Sequence, residues 1–187
     1  PAAVAAAGAL VHYLRETQKA DLAHVRTIRL RETADRLLVD PTTLQHLEVV
    51  ESSKGGRSGS LLDEIDRTVT PMGGRLLRSW LIAPLVSLDR IRERLDAVEE
   101  LAFRAADRGK VRDTLKVVLD LERLVSKVAL STASPRDLVA LARSLAAVPR
   151  TRLLLGECQA PLITALVAAL DDLPDVRGGI DATLMDE

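Results

Sequence analysis

Several prolines of this chain stand where helices are expected to begin. Asp40-Pro41, Thr70-Pro71 and Ser134-Pro135 each set a proline directly after a capping side chain. The ring presets φ for the first helical residue, and the N–H it lacks would have had no partner there. Between these starts, apolar residues recur at intervals of three and four. Leu88, Ile91, Leu95, Val98 and Leu101 form one run, and Leu138, Leu141, Leu145 and Val148 a second. Leu162, Ile163, Leu166, Val167 and Leu170 form the last apolar face. Tyr13, Trp80 and Phe103 are the only aromatic residues, so the apolar content is Leu, Ala and Val rather than the ring-rich mixture that favours sheets. The pattern predicts an all-α, multi-helix bundle with an aliphatic core.

A segment-by-segment reading refines this. Residues 2–19 read as an Ala-rich helix, Thr42–Glu51 as a helix, and Ser52–Gly59 as a flexible loop. Ser60-Leu61-Leu62-Asp63 has capping-box form with Asp for the usual Glu. Pro71–Ala83 is the next helix, carrying Met72, Leu76 and Trp80 at spacings of four. The proline-free stretch from Pro84 to Pro135 holds two or three helices, with breaks expected near Arg108-Gly109 and Asp120. Residues 25–39 alternate partially and predict a short extended stretch or hairpin. Beyond Pro174 the chain turns acidic and its periodicity fades.

The 187 residues suffice for one domain, or two small ones, and bury roughly 70% of the unfolded surface without staples. A net charge of -1 argues against a protein sheathed in nucleic acid. One cysteine excludes a disulfide framework and a multi-thiolate metal site, and suits a reducing cytosol. No apolar run reaches the ~20 residues of a membrane span, so no membrane partner is expected. The chain opens on Pro1 with no basic leader, as expected of a processed protein or a piece of a longer one.

Few residues suggest chemistry. The loop Gly55-Gly56-Arg57-Ser58-Gly59-Ser60 lacks the Gly-Lys-Ser/Thr core of a phosphate loop, and the one Gly-Lys pair, Gly109-Lys110, is followed by Val111. His12, His24 and His46 do not share metal-ligand spacing, and Cys158 reads as a small buried apolar residue. Lys54 to Arg94 holds eight basic and five acidic residues, which reads as a solvated helix face and, alternatively, as a phosphate-contacting one. The C-terminal acids Asp171, Asp172, Asp175, Asp181, Asp186 and Glu187 read as a solvated segment. No catalytic, cofactor-binding or metal site is expected.

One stretch carries more information. Leu61-Leu62-Asp63-Glu64-Ile65-Asp66-Arg67-Thr68-Val69-Thr70-Pro71-Met72-Gly73-Gly74-Arg75-Leu76-Leu77-Arg78-Ser79-Trp80-Leu81, followed by Pro84-Leu85, resembles the core-domain signature of the MutS DNA mismatch repair proteins. His12–Gln18, Asp40–Thr43 with Leu47–Val49, Arg94–Val98, Asp120–Leu124 and Ser134–Leu138 resemble flanking family segments in family order. His46 stands where the family commonly has Asn or Arg, and Arg177–Ile180 resembles the Gly-rich segment before the clamp, with Asp181–Leu184 following sooner than usual.

The resemblance implies that residues 1–187 are the first half of the core, or lever, domain (domain III), ending near the clamp insertion. Its structural signature is Asp66, Thr68, Pro71, Met72, Gly73, Arg75, Leu76, Leu77, Trp80, Leu81 and Pro84, with Trp80 and Met72 as core anchors and Arg75 and Arg78 pairing with acids on other elements. The family's Phe-x-Glu mismatch reader is not in this sequence, since Phe103 precedes Arg104-Ala105. By resemblance, the parent protein is a DNA-dependent ATPase using ATP and Mg²⁺ in another domain. Its implied partners are the connector, clamp and ATPase domains, mismatched duplex DNA, a MutL-like protein and a second copy of itself, in the bacterial cytoplasm at the nucleoid. The role implied for this region is mechanical coupling of DNA binding to the ATPase, with Leu88–Leu101 stiff and the Gly-rich loop and Thr70-Pro71 junction adaptable. The alternative is a stand-alone helical scaffold for protein interaction.

Overall fold

The structure, a computed structural model, describes residues 2–18, 27 and 35–184. It divides into two units, residues 1–34 and 35–187. In the first, helix α1 (Ala2–Gln18) matches the Ala-rich prediction. Among the described residues every regular element is a helix, so the fold is all-α.

The second unit strings short helices between side-chain caps. Asp40 accepts from the Thr43 amide (2.9 Å) and opens α2 (Pro41–His46). Ser60 accepts from the Asp63 amide (3.2 Å) and opens α3 (Leu61–Ile65). Thr70 accepts from the Gly73 amide (3.1 Å) and opens α4 (Pro71–Ile82). Ser87 precedes α5 (Leu88–Phe103), and α6 (Ala105–Leu115) follows at once. Asp120 caps α7 (Leu121–Ala129). Ser134 and Asp137 form a reciprocal capping box at α8 (Pro135–Leu145). Then come α9 (Val148–Leu155), α10 (Pro161–Ala169) and α11 (Pro174–Thr183). Each cap satisfies an amide that the first helical turn leaves without a partner.

Two hydrophobic clusters hold the body. Ala97 of α5, Cys158, Ala160 and Ile163 of α10 form one, with Leu101, Leu155, Leu162 and Val167 packed around it. Leu124 of α7 with Leu141 and Leu145 of α8 forms the other, flanked by Leu121, Ala140 and Ile180. The most closely packed helix pairs among the described residues are α5 with α6 and α10, α9 with α6 and α10, α8 with α7 and α11, and α3 with α4.

Several expectations are corrected. The helix expected over Thr42–Glu51 stops at His46 because Glu48 takes a left-handed φ of 50° and its carbonyl accepts from Leu61, while the Val49 carbonyl accepts from Leu62. The break expected at Arg108-Gly109 falls at Arg104. Arg104 donates to the Glu157 carbonyl (2.8 Å) and Arg108 to the Leu101 carbonyl (2.9 Å), so two guanidiniums serve the helix junction and Gly109 lies inside α6. Helix α9 has no counterpart among the predicted elements. The acidic tail is helical as α11, since Ile180 has an apolar surface on α7 and α8 to cover. The apolar run of α5 is also turned otherwise than its spacing suggests. Leu88, Leu95 and Val98 are exposed, and the buried residue of that helix is Ala97. Of the extended stretch expected at 25–39, residues 25, 26 and 28–34 lie outside the described residues. Residues 35–37 run antiparallel to 84–86 through one bridge, with Leu37 donating to the Pro84 carbonyl (2.8 Å) and Val86 to the Asp35 carbonyl (3.0 Å).

Candidate functional site

The signature residues surround the start of α4. The Asp66 carboxylate accepts from the Thr68 amide (2.8 Å) and from Arg57 Nη2 (2.5 Å). These hydrogen bonds, Thr68 first, hold its carboxyl down to about 2 from an ordinary 3.8. This turn lies directly against the first turn of α4. A Cβ on Gly73 would come to 3.0 Å from Thr70 Oγ1 and 3.4 Å from Thr68 Cβ, and one on Gly74 to 3.4 Å from Thr68 Oγ1. Gly73 is therefore the position of close approach, while a Cβ on Gly74 would sit at ordinary contact distance. From α6, Arg112 Nη1 donates to the Arg67 carbonyl (2.7 Å). The Thr70-Pro71 junction, expected to be adaptable, is braced from both sides.

Arg75 ties α4 to a helix some forty-five residues later in the chain. Its Nη1 and Nη2 meet both Asp120 oxygens at 2.6 and 2.8 Å, and Nη2 also meets Glu122 Oε2 at 2.5 Å. The forked guanidinium matches a carboxylate geometrically, so α4 is pinned to the start of α7 at a fixed angle. Asp120 also caps α7, its Oδ1 accepting from the Arg123 amide (3.3 Å). Its carboxyl is lowered chiefly by Arg75, and Arg75 is raised in turn by Asp120 and Glu122.

The core-anchor expectation for Met72 and Trp80 is corrected. No residue of α4 is buried. Met72, Leu77 and Leu81 are half-buried, as is Trp80, whose ring lies under the Arg94 guanidinium of α5 at 3.8 Å. Pro71 and Leu76 are exposed. Pro84 supplies its carbonyl to Leu37. Arg78 lines a cleft with Pro41, Leu44, Gln45 and Ile82. The structure thus unites Asp66, Thr68, Gly73 and Pro71 in one braced turn, and sends Arg75 and Trp80 to different helices.

The remaining candidates stay apart. His24 lies outside the described residues. His12 is exposed, 3.4 Å from Glu16. Among the described residues no three His, Cys, Asp or Glu groups converge as for a metal. Cys158 is buried, and burial followed by the Glu100 charge pushes its thiol up, away from nucleophile behaviour. Gly55, Gly56 and Gly59 take positive φ in the loop, where the Ser52 amide donates to the Gly56 carbonyl. Much of the basic face is neutralised internally, with Arg57 on Asp66, Arg75 on Asp120 and Arg90 on Asp35. Among the described residues, no helix is long and apolar enough to cross a membrane.

Sequence reasoning missed Glu100. Its carboxylate accepts from the Gln159 amide (2.9 Å) and the Ala160 amide (2.7 Å), so a side chain of α5 caps α10, which has no cap of its own. Arg104 Nε lies 3.2 Å away. Its carboxyl is lowered by those two amides, Ala160 first. Nothing in the run Glu99-Glu100 singles it out, because the partner is some sixty residues later in the chain.

Asp66 and Asp137 make a pH prediction. Both carboxyls are held at about 2 against 3.8 unfolded, Asp137 mainly by Lys127 and the Ser134 cap. A carboxyl lowered in the folded state stabilises it above the unfolded value, and that stabilisation fades as pH falls toward the folded value. Thermal melts should therefore lose stability between pH 4 and 2, and the Asp66→Asn, Asp137→Asn double variant should show a flatter slope there. An identical slope would refute it.

A family model described as MutS domain III matches residues 42–186. The DNA mismatch repair protein MutS of Myxococcus xanthus is 43% identical over 188 aligned positions, covering 100% of this chain and 21% of that protein. The protein of the same name from Symbiobacterium thermophilum is 45% identical over 186 positions, covering 99% of this chain and 21% of its own length. That of Pelotomaculum thermopropionicum is 43% identical over 187 positions, covering 99% and 22%. The chain spans about one-fifth of the length of these relatives.

Proposed function

The chain belongs to the MutS domain III family, and from that premise we propose that it is the lever of a DNA mismatch repair protein, coupling a DNA-binding end to a distant ATPase. The observation that carries this reading is the set of ties between helices far apart in sequence: Glu100 on the start of α10, Arg75 on the start of α7, and Arg112 on the turn before α4. Helices fixed end to flank displace as stiff bodies, so a shift at one end reaches the other. Stiffness transmits a bias only if both ligands act on the same two-state element.

On this reading the other partners follow from the parent protein. Mismatched duplex DNA is held by its reader and clamp, ATP and Mg²⁺ by its ATPase domain, and a second copy and a MutL-like protein by surfaces beyond these residues. The setting is the bacterial cytoplasm at the nucleoid. A stand-alone scaffold is not favoured, because the chain matches one-fifth of mismatch repair proteins along nearly all of its own length. An autonomous DNA module is disfavoured by the internal pairing of the basic face.

The test is Glu100→Gln in the full-length protein. Gln keeps the size but weakens the charge-assisted cap on α10. ATP-driven release of mismatched DNA should lose coupling about five-fold or more, within the usual range of coupling energies, with each ligand's own affinity retained. Unchanged coupling together with a lowered melting temperature would sink the lever reading.

A further inference from the structure

Helix α11 is built from residues that oppose it. Its ten residues fall short of the roughly 12–15 at which an isolated helix becomes even marginal in water. Gly178 and Gly179 sit in its middle, and a Cβ built on either would meet nothing within 4 Å. Gly73 answers the close approach of Thr70, whereas these two glycines answer no such need among the described residues and weaken the helix. The start is unfavourable too. Where α2, α3, α4, α7 and α8 begin on a side-chain cap, α11 begins on Leu173 with none. Leu173 holds φ at 43° and ψ at 58°, a left-handed conformation that a β-carbon resists, and the Pro174 that follows favours an extended one.

Docking offsets these costs along one face. Arg177, Ile180 and, just past the helix end, Leu184 are half-buried, and no residue of α11 is fully buried. Ile180 packs on the cluster of Leu124, Leu141 and Leu145. Those three join α7 to α8 directly, and α8 is held separately by the Ser144 hydroxyl, which accepts from the Leu119 amide. The cluster around Ile163 has no member from α11. The second unit can therefore release α11 and keep both clusters. We propose that α11 is a releasable strap, exchanging as one segment between a helix docked on α7 and α8 and an open form in which the rest of the second unit stays folded. Opening relieves Leu173 and uncovers the apolar surface that Ile180 covers. The inference goes beyond the lever reading and does not need it. The ties made by Glu100, Arg75 and Arg112 lie on other helices, and the test involves neither DNA nor ATP, so either idea can fail while the other stands.

Amide hydrogen exchange of the 187-residue chain, read residue by residue by NMR, tests the strap. Amides 178–183 should be protected, yet exchange on the order of 100-fold faster than amides 141–145 and 164–168. Their rates should also depend less on urea, because a local opening exposes less surface than unfolding of the unit. Replacing Gly178 and Gly179 together with Ala should slow amides 178–183 about 25-fold, some five-fold per site from the difference in helix propensity. Ile180→Ala should speed them about ten-fold or more. Ile163→Val is the decisive variant, since it loosens the unit at a cluster that α11 does not touch. It should speed amides 164–168 about two- to ten-fold and leave 178–183 unchanged. An equal acceleration of both sets would mean that α11 opens only when the whole unit unfolds, and would overturn the proposal. So would unprotected amides at 178–183, which would leave no docked helix to release, or a double alanine variant with no slowing there.

Discussion

Replacing Ile163 with Ala should destabilise the second unit by about 2–5 kcal/mol, the usual cost of emptying a filled aliphatic site. Ile163 is 4% exposed, and it is the largest of the buried side chains where α5 meets α10. Ala97 opposite it is small, so α5 cannot close the gap with its own side chain. Leu101, Leu155, Leu162 and Val167 line the hole and would lose dispersion contacts on one side. The matched control is Leu95→Ala. Leu95 has the same helical spacing that marks a core position, yet it is 59% exposed. Its truncation should change stability by about 0.5 kcal/mol or less. Urea melts of both variants decide the matter, and equal effects would mean that the packing of α5 is misassigned.

That contrast shows where sequence reasoning held and where it failed. Helix starts were legible because a cap is local: Asp40, Ser60, Thr70, Asp120 and Ser134 each bond an amide three residues on. The all-α fold was legible in the Leu and Ala usage and the near absence of rings. The burying face of α5 was not. Periodicity finds an apolar stripe but cannot say which stripe another helix covers, and here Ala97 lets α10 approach while Leu88, Leu95 and Val98 stay outside. Helix ends failed where the terminator is distant, as at Arg104, whose partner is the Glu157 carbonyl.

The signature was legible as a string of residues but not as a geometry. Arg75 was expected to meet acids, and it does, on Asp120 and Glu122. Gly73 carries no periodic signal, yet the Thr68-Thr70 turn comes closer to α4 there than a Cβ ordinarily tolerates. Gly73→Ala should force Thr70 Oγ1 away from its cap and cost about 1 kcal/mol, the usual value of a lost cap. Since Ala favours a helix interior over Gly, a stabilised variant would show that Thr70 yields without strain.

Ser144 should prove more sensitive than any polar residue on a leucine-rich helix has reason to be. It has no exposed surface, and it sits between Leu141 and Leu145 on the buried face of α8. Its hydroxyl donates to the Ala140 carbonyl (2.8 Å) and accepts from the Leu119 amide (3.0 Å). Leu119 lies in the irregular stretch between α6 and α7, where no helical carbonyl is available to it. Ser144→Ala raises helix propensity and removes one small atom, so any net cost is a lower bound on that of the orphaned amide, about 1–3 kcal/mol. Ser144→Leu adds volume where there is none and should cost more. Amide exchange at Leu119 separates the causes: in Ser144→Ala it should speed up beyond the change at Ala140, whose carbonyl already serves the helix. Equal protection at both sites, or a cost near zero for Ser144→Ala, would show that the Leu119 amide has another partner and that the 116–120 connection is not held through α8.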